Sequence, residues 1–371
     1  MKTEVKRTIL AAALGRVQRL AGRKSAFPVT SHILLSAGKS GLTVRATDLE
    51  TGFHGEYPAE VETAGKALVP GRSLAEIIRQ IQAPSVTLAM DHGDLTVSGG
   101  SADFRLTALD PEDFPSIPDM PDGPGLDLSG LTASRLFGQV VFSVNVPPGE
   151  RRVHIRGVLL EAGPMPGLGS LVRLVNTDGH RLAMAEAEIP GQVAPLAAIL
   201  PKAALPEFVD LVEGADTARL LVSGHFFFCR VRDEYLVSRT VEGQFPDYRQ
   251  VLPAPAPGFL VSARALSGAL RRVGLFNDRD CRGLSMRLAH GRLSLSVTNP
   301  QVGEAREEVP VEYTGPDVET ALDTEYLRAA VAPIGEGPAY FQMPDKNNAA
   351  LVRHADPAGY TAVVMPFNAE G

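Results

Sequence analysis

Six stretches of the chain place apolar residues at i, i+3, i+4 and i+7, the spacing of an α-helix that buries one face. They are Leu10/Ala13/Leu14/Val17, Leu74/Ile77/Ile78/Ile81, Phe137/Val140/Val141/Val144, Leu205/Phe208/Val209/Val212, Leu266/Ala269/Leu270/Val273 and Leu327/Ala330/Val331/Ile334. Between them the period shortens to alternation, as in HILLSA, LTVRAT, VHIRGVLLEA, LVRLVNT, LSMRLA and LSLSVT. After the second helix of each pair come VTLAM and LTVSG, ARLLVSG and FFFCRVRDEYLVSRT, AYFQM and AALVRHA. These stretches predict strands.

The helices pair at nearly fixed distances. The second member follows the first by 64, 68 and 61 positions, and successive first members lie 127 and 129 apart. Three tandem copies of one unit, each built as helix, strands, helix, strands, account for this. The Pro- and Gly-rich passages SIPDMPDGPGLDLSG (116–130) and VLPAPAPGF (251–259) fall between copies, which predicts domains at 1–126, 127–252 and 253–371. The expected fold class is α+β, with paired helices packed on antiparallel sheets.

Composition agrees with a protein that has ample core. Of 371 residues 44% are hydrophobic and 21% charged, and a chain this long is expected to divide into several domains. The opening MKTEVKRTILAAALGR has an apolar run of six residues closed by Arg16, and reads as a helix rather than a secretory signal. No run reaches the roughly 18 apolar residues of a membrane span. Cys229 and Cys281 stand 52 positions apart without a CxxC pair, so no disulfide framework or zinc site is expected, and a reducing cytoplasm is the expected location. The formal net charge is −7, but the first 24 residues hold seven basic side chains against the single acid Glu4.

Several motifs dissolve on inspection. AGKSG at 37–41 contains the GKS of a phosphate loop, yet Ile33 stands where its first glycine belongs; the tripeptide joins two strands and predicts a hairpin turn. The eight histidines lack HExxH spacing and there is no GxSxG elbow. Neither metal nor cofactor is expected. Asp178, His180 and Arg181, in NTDGHRLAM, could be an acid–base cluster, but Asp178-Gly179 equally makes a strand-ending turn with locally bonded polar side chains, and no nucleophile or second carboxylate is near in sequence.

The basic residues follow a pattern of their own. Arg16, Arg19 and Arg23 lie opposite the Leu10/Leu14/Val17 stripe, Arg72 and Arg79 stand seven apart on the second helix, Lys202 opens the fourth, and Arg264 and Arg271 flank the fifth. Point charges on helices, without interleaved aromatic residues or any Trp, suit phosphate contact without base reading.

Taken together, RATDLETG (45–52), ADFRLTALDPEDFP (102–115), NTDGHRLAM (176–184), EGQFPDYRQVLP (242–253), CRGLSM (281–286) and the terminal VVMPF resemble, in this order along the whole chain, the bacterial DNA polymerase III beta subunit, the sliding clamp. The resemblance implies three clamp domains per chain and a head-to-tail homodimeric ring whose twelve helices line a hole. Helices about 10 Å wide give a perimeter on the order of 120 Å and a bore of roughly 28 Å, wide enough for a duplex. It implies a processivity factor that catalyses nothing itself, encircles double-stranded DNA without sequence preference, and tethers the polymerase III alpha subunit, other polymerases, the clamp loader and repair proteins through a peptide-binding pocket between domains 2 and 3.

The pocket positions that match are Ile155, Thr177, Gly179, His180, Arg181, Leu182, Pro246, Gln250, Val251, Val363, Met365, Pro366 and Phe367. DNA contacts carry over to Arg23, Lys24, Arg72, Arg152 and Lys202. Subunit contacts carry over to Phe104, Arg105 and Leu106, meeting Leu275, Phe276, Glu304, Glu307 and Glu308. The chain departs from the family pattern at Gln250, where arginine is typical, at Val153 and His154, which replace an aromatic pair, and in running on past Met365-Pro366 to Gly371. A clamp-like paralogue that binds partner peptides without encircling DNA, as a decoy or scaffold, is the alternative.

Overall fold

In the computed structural model, the described residues are 1–22, 27–142, 149–167, 169–343, 348–355 and 359–367. Helices α1 (Arg7–Gly22), α2 (Gly71–Gln80), α3 (Gly130–Val140), α4 (Val153–Arg156), α5 (Leu205–Val212), α6 (Ala263–Val273) and α7 (Thr324–Val331) alternate with antiparallel strands. All but the single-turn α4 follow one plan: a strand leads into the helix, and three strands of a meander follow it. The plan occurs six times, two half-modules for each sequence repeat.

Capping fixes where several of these helices begin. Ser129 Oγ accepts the N–H of Thr132 at 3.1 Å, Ser262 Oγ that of Ala265 at 3.2 Å, and Asp323 Oδ1 those of Glu325 and Tyr326 at 2.9 and 3.0 Å, supplying acceptors that the first helical turn lacks. The apolar stripes then face inward: Leu10, Ala13, Leu14 and Val17 of α1 and Leu266, Ala269, Leu270 and Val273 of α6 are all buried.

Two of the expected elements differ. The third helix ends at Val140, Val141 is exposed, and Val144 lies outside the described residues. In VHIRGVLLEA the strand starts at Gly157; Val153–Arg156 is a helical turn instead. Just ahead of this turn, Glu150 Oε1 accepts the N–H groups of Arg151 and Arg152 at 2.9 and 2.8 Å, fixing the chain that enters it.

The chain forms two compact units. Residues 1–134 with 204–240 contain an eight-stranded sheet in the order Leu126–Ser129, Thr217–Ser223, Phe226–Val231, Glu234–Arg239, Thr51–Tyr57, Gly41–Thr47, His32–Gly38, Gly65–Pro70. Their second sheet runs Glu60–Thr63, Lys2–Lys6, Ser85–Asp91, Asp94–Gly99, Ala102–Thr107. Residues 135–203 with 241–371 repeat the scheme: an eight-stranded sheet of Leu196–Pro201, Gly157–Pro164, Gly169–Thr177, Arg181–Pro190, Tyr360–Val364, Ala350–His354, Pro338–Gln342, Phe259–Ser262, and a four-stranded sheet of Gly303–Pro310, Arg292–Asn299, Gly283–Ala289, Val318–Asp323.

Within each eight-stranded sheet two half-modules meet strand to strand, Thr51–Tyr57 beside Glu234–Arg239 and Arg181–Pro190 beside Tyr360–Val364. The same kinds of meander-ending strand, Ala102–Thr107 and Gly303–Pro310, stand at sheet edges. The expected AGKSG turn joins the paired strands His32–Gly38 and Gly41–Thr47, with Gly41 at φ +113°, a conformation open to glycine. Phe208 of α5 is fully buried edge-on to Phe227, ring centroids 5.1 Å apart. Phe208→Ala should destabilise the protein by about 3–5 kcal/mol, read as a lower denaturant midpoint.

Candidate functional site

The corner at Thr177–Arg181 is fixed by local hydrogen bonds. Asp178 Oδ1 accepts the backbone N–H groups of His180 and Arg181 at 3.1 and 3.2 Å, Thr177 Oγ1 donates to the Arg181 carbonyl at 2.7 Å and accepts the Gly179 N–H at 3.2 Å, and Gly179 sits at φ +91°. Asp178 Oδ2 also accepts Arg181 Nε at 2.9 Å, with both side chains 14% exposed. The Arg181 guanidinium lies between two aromatic rings, 4.4 Å from the centroids of both Phe142 and Tyr326, and His180 stacks on Tyr326 at 6.1 Å. A carboxylate bonded this way is an organiser of its loop, not a free acid or base.

Three ties hold the corner to its surroundings. Asn176 Nδ2 donates to the carbonyls of Val140 and Phe142, at 2.8 and 3.1 Å, closing the end of α3. Met365 N–H donates to the His180 carbonyl at 2.9 Å. Lys202 is fully buried and its Nζ donates to the Thr177 carbonyl at 2.6 Å. Burial pulls the Lys202 pKa down to about 8; Asp178 raises it in part, and Arg181 adds to the lowering.

Behind the corner is an apolar cluster. Leu182 and Val363 face one another across the strand pair and pack with Leu159, Val175, Met184, Ile199, Phe245 and Tyr248. Asp247 caps the turn Tyr248–Val251 through the Arg249 N–H and so turns Tyr248 inward, where its hydroxyl donates to Glu161 Oε2 at 2.9 Å and accepts from Arg173 at 2.7 Å. Pro246, Gln250 and Val251 are exposed around it. Thus Thr177, Gly179, His180, Arg181, Leu182, Val363 and Met365 come together as one wall, flanked by the loop that carries Pro246, Gln250 and Val251.

The remaining positions are placed otherwise. Ile155 is buried in α4. Pro366 and Phe367 pair with Leu322 and Ala321, and the Phe367 ring lies over Gly283 on the four-stranded sheet. Sequence reasoning missed Tyr326 and Phe142, whose approach to Arg181 no local pattern announces, and Tyr248, whose inward turn was legible in the Asp247 cap.

The first unit carries the same corner. Asp48 Oδ1 accepts the N–H groups of Glu50 and Thr51 at 3.1 and 2.7 Å, Thr47 Oγ1 donates to the Thr51 carbonyl at 2.9 Å and accepts the Leu49 N–H at 3.0 Å, and Leu49 takes up φ +80° where the other corner has glycine. Here, however, Gly52 occupies the place of Leu182, and a Cβ on it would lie 2.7 Å from Ile117 Cγ2, so the linker side chain fills the space.

The basic surfaces need correction. Lys202, expected to face solvent at the head of a helix, is enclosed. Arg23 and Lys24 lie outside the described residues. Arg16 is bound to the Asp210 carbonyl and sits 3.4 Å from Glu234, and Arg19 pairs with the Asp210 carboxylate. Arg72 and Arg152 are exposed, each beside an acid: Arg72 is 2.9 Å from Glu76, and Arg152 is 2.8 Å from Glu150. At the sheet edges, Phe104 and Leu106 are half-buried while Arg105 is exposed with its nearest acids, Asp91 and Asp94, at 4.0 and 3.9 Å. On the edge strand Gly303–Pro310, Glu304 pairs with Arg306 and Glu307 with Arg272, and Glu308 lies 3.7 Å from Arg292. Nearby Leu275 is 76% exposed, and Phe276 half-buried. No group of three or more potential metal-ligating side chains, and no helix long and apolar enough to cross a membrane, occurs among the described residues.

Six repeated half-modules on antiparallel sheets, joined strand to strand into two eight-stranded sheets, define a clamp-type protein. The chain matches the DNA polymerase III beta subunit in its N-terminal domain over residues 1–118, its central domain over 128–247 and its C-terminal domain over 249–368. It is 32% identical to the beta sliding clamp of Caulobacter vibrioides and 30% identical to that of Pseudomonas aeruginosa, in each case over 99% of this chain and 100% of the relative. Among solved structures it is similar to the sliding clamp of Bartonella birtlesii bound to griselimycin (27% identity, TM-score 0.89, 99% of both chains) and to that of Pseudomonas aeruginosa bound to the same compound (28%, TM-score 0.88, 99% of both chains). The chain belongs to the DNA polymerase III beta subunit family, the bacterial sliding clamps.

Because the pKa of buried Lys202 lies near 8 and its ordinary value is 10.5, the unfolded chain binds more protons between these limits. Stability should therefore rise with pH from about 8 towards about 10, and Lys202→Met should remove that part of the rise in urea unfolding compared at the two ends.

Proposed function

We propose that the protein is a homodimeric processivity clamp that encircles duplex DNA and carries polymerases and other partners on peptides bound at the Thr177–Leu182 wall. In this reading the chain is three clamp domains, 1–126, 127–252 and 253–371, working in the cytoplasm and catalysing no reaction.

The observation that carries the proposal is the pattern of sheet edges. A meander-ending strand from one half-module is paired with a meander-ending strand from another at Thr51–Tyr57/Glu234–Arg239 and at Arg181–Pro190/Tyr360–Val364, while Ala102–Thr107 and Gly303–Pro310 have one side free. A third junction of the same kind, made between two copies of the chain, satisfies both edges. Two such junctions close a two-fold assembly in which every meander-ending strand has a partner. The chemistry of the edges suits the pairing: Arg105 stands on one, Glu304, Glu307 and Glu308 on the other, with Phe104, Leu106, Leu275 and Phe276 as apolar neighbours.

For DNA, the exposed Arg72 and Arg152, with Arg23 and Lys24, supply phosphate contacts; Lys202, buried, is left out of that set. For partners, half-buried Met365 and exposed Val251 offer apolar surface in front of the buried Leu182 and Val363, with His180, Arg181 and Gln250 as the polar rim, for leucine and phenylalanine anchors of a short peptide. The relatives bound to griselimycin support a small-ligand seat on this family's surface. Asp178, occupied by two backbone N–H groups and Arg181, gives no support to an acid–base centre.

The protein should sediment as two chains, and Arg105→Glu should shift it to one. Loaded on closed circular DNA by a clamp loader it should stay bound through gel filtration at a salt concentration that strips a purely electrostatic binder, and it should be released once the circle is cut. A single-chain mass for the unmodified protein at micromolar concentration would instead favour the decoy or scaffold. Met365→Ala should weaken binding of a polymerase C-terminal peptide roughly tenfold, measured by calorimetry.

A further inference from the structure

Lys202 has no part in the proposed DNA surface, yet it is wholly enclosed and holds a carbonyl of the peptide wall. We propose that Lys202 is a positioning residue for the pocket, fixing the Thr177–Leu182 corner in the orientation that receives a partner's peptide. The proposal rests on the reading of that corner as a peptide-binding wall.

An ammonium group taken out of water is retained where specific partners compensate it. Here the Nζ reaches the Thr177 carbonyl at 2.6 Å, and the charged and titratable groups that face it are Asp178 and Arg181 from the corner and His154 from α4. The Asp178 carboxylate thus bonds one cation, Arg181, and favours the charge of a second, Lys202. Arg181 is held from outside by the rings of Phe142 and Tyr326, and Lys202 holds the backbone from within. One residue before Thr177, Asn176 is tied to the last carbonyls of α3; beyond the turn, the His180 carbonyl receives Met365 N–H. The corner is therefore pinned at both feet, and Lys202 is the pin whose removal leaves a carbonyl unmatched and Asp178 with a single cation. The exposed rim residue His180 sits on the part of the loop between those pins, so its direction depends on them.

Lys202→Met keeps most of the stem and removes the charge. In the full-length chain, amide hydrogen exchange at residues 177–182 should quicken at least tenfold while exchange in α6 and α7 stays unchanged, and a synthetic polymerase C-terminal peptide carrying leucine and phenylalanine anchors should bind about tenfold more weakly. Because the ammonium loses its proton near pH 8, the unmodified protein's affinity for the peptide should fall from about pH 7 to about pH 9, and that of Lys202→Met should be flat over the same range. Unchanged corner exchange in the variant overturns the proposal, whatever the peptide does. So does an unchanged affinity, or a loss of retention on closed circular DNA with affinity intact, which would return Lys202 to the DNA surface. If the unmodified protein fails to bind the peptide, the pocket reading falls, and exchange at the corner still decides whether Lys202 positions it.

Discussion

Backbone hydrogen bonding between strands of different half-modules is the interaction on which the rest of this structure depends. A lone half-module of one helix and a short meander leaves two strand edges and one sheet face unsatisfied. Pairing Thr51–Tyr57 with Glu234–Arg239, and Arg181–Pro190 with Tyr360–Val364, turns four small sheets into two of eight strands. Each compact unit is consequently larger than, and differently composed from, a sequence repeat: it takes one half of the middle repeat and joins it to a terminal one. The apolar stripes of the helices can then be buried on broad sheets rather than on three-stranded ribbons.

The turn that leads into each of these pairings is built alike. Thr47–Thr51 and Thr177–Arg181 share their hydrogen bonds almost atom for atom, which shows that a threonine, an acid and a residue in the left-handed region are the requirements of the corner itself. What differs is the packing behind it. Gly52 admits Ile117 of its own linker, whereas Leu182 presents a side chain to the cluster and the corresponding linker contributes Tyr248, tethered through its hydroxyl. Both corners are consolidated by their own linker, one by an isoleucine against a glycine and the other by a hydrogen-bonded tyrosine in a leucine-lined cluster.

Much of the fold was legible in the sequence because the period of a helix or strand is a local property. Leu10, Leu14 and Leu270 are buried for reasons their neighbours disclose. The Asp178-Gly179 turn was legible too, since its bonds span four residues. Long-range electrostatics were not. Arg16 and Arg19 read as a free basic face, yet Asp210, some 190 positions away, meets both. Lys202 read as the exposed head of a helix, but the strand Leu196–Pro201 pairs with Gly157–Pro164 and delivers the next residue beneath Thr177. Phe367 read as part of the wall, and the backbone pairing of Pro366 with Leu322 carries its ring to another sheet.

The acids beside the exposed arginines change what such side chains can do. Arg72 beside Glu76, Arg152 beside Glu150 and Arg264 beside Glu336 each carry a built-in counter-ion. A phosphate approaching any of them competes with a carboxylate that is already in place, and when it departs the carboxylate returns. With one counter-ion replacing another, no position along a polyanion would become a deep trap in the proposed ring. There, these pairs would set friction rather than affinity, and a surface made this way would let its track run past.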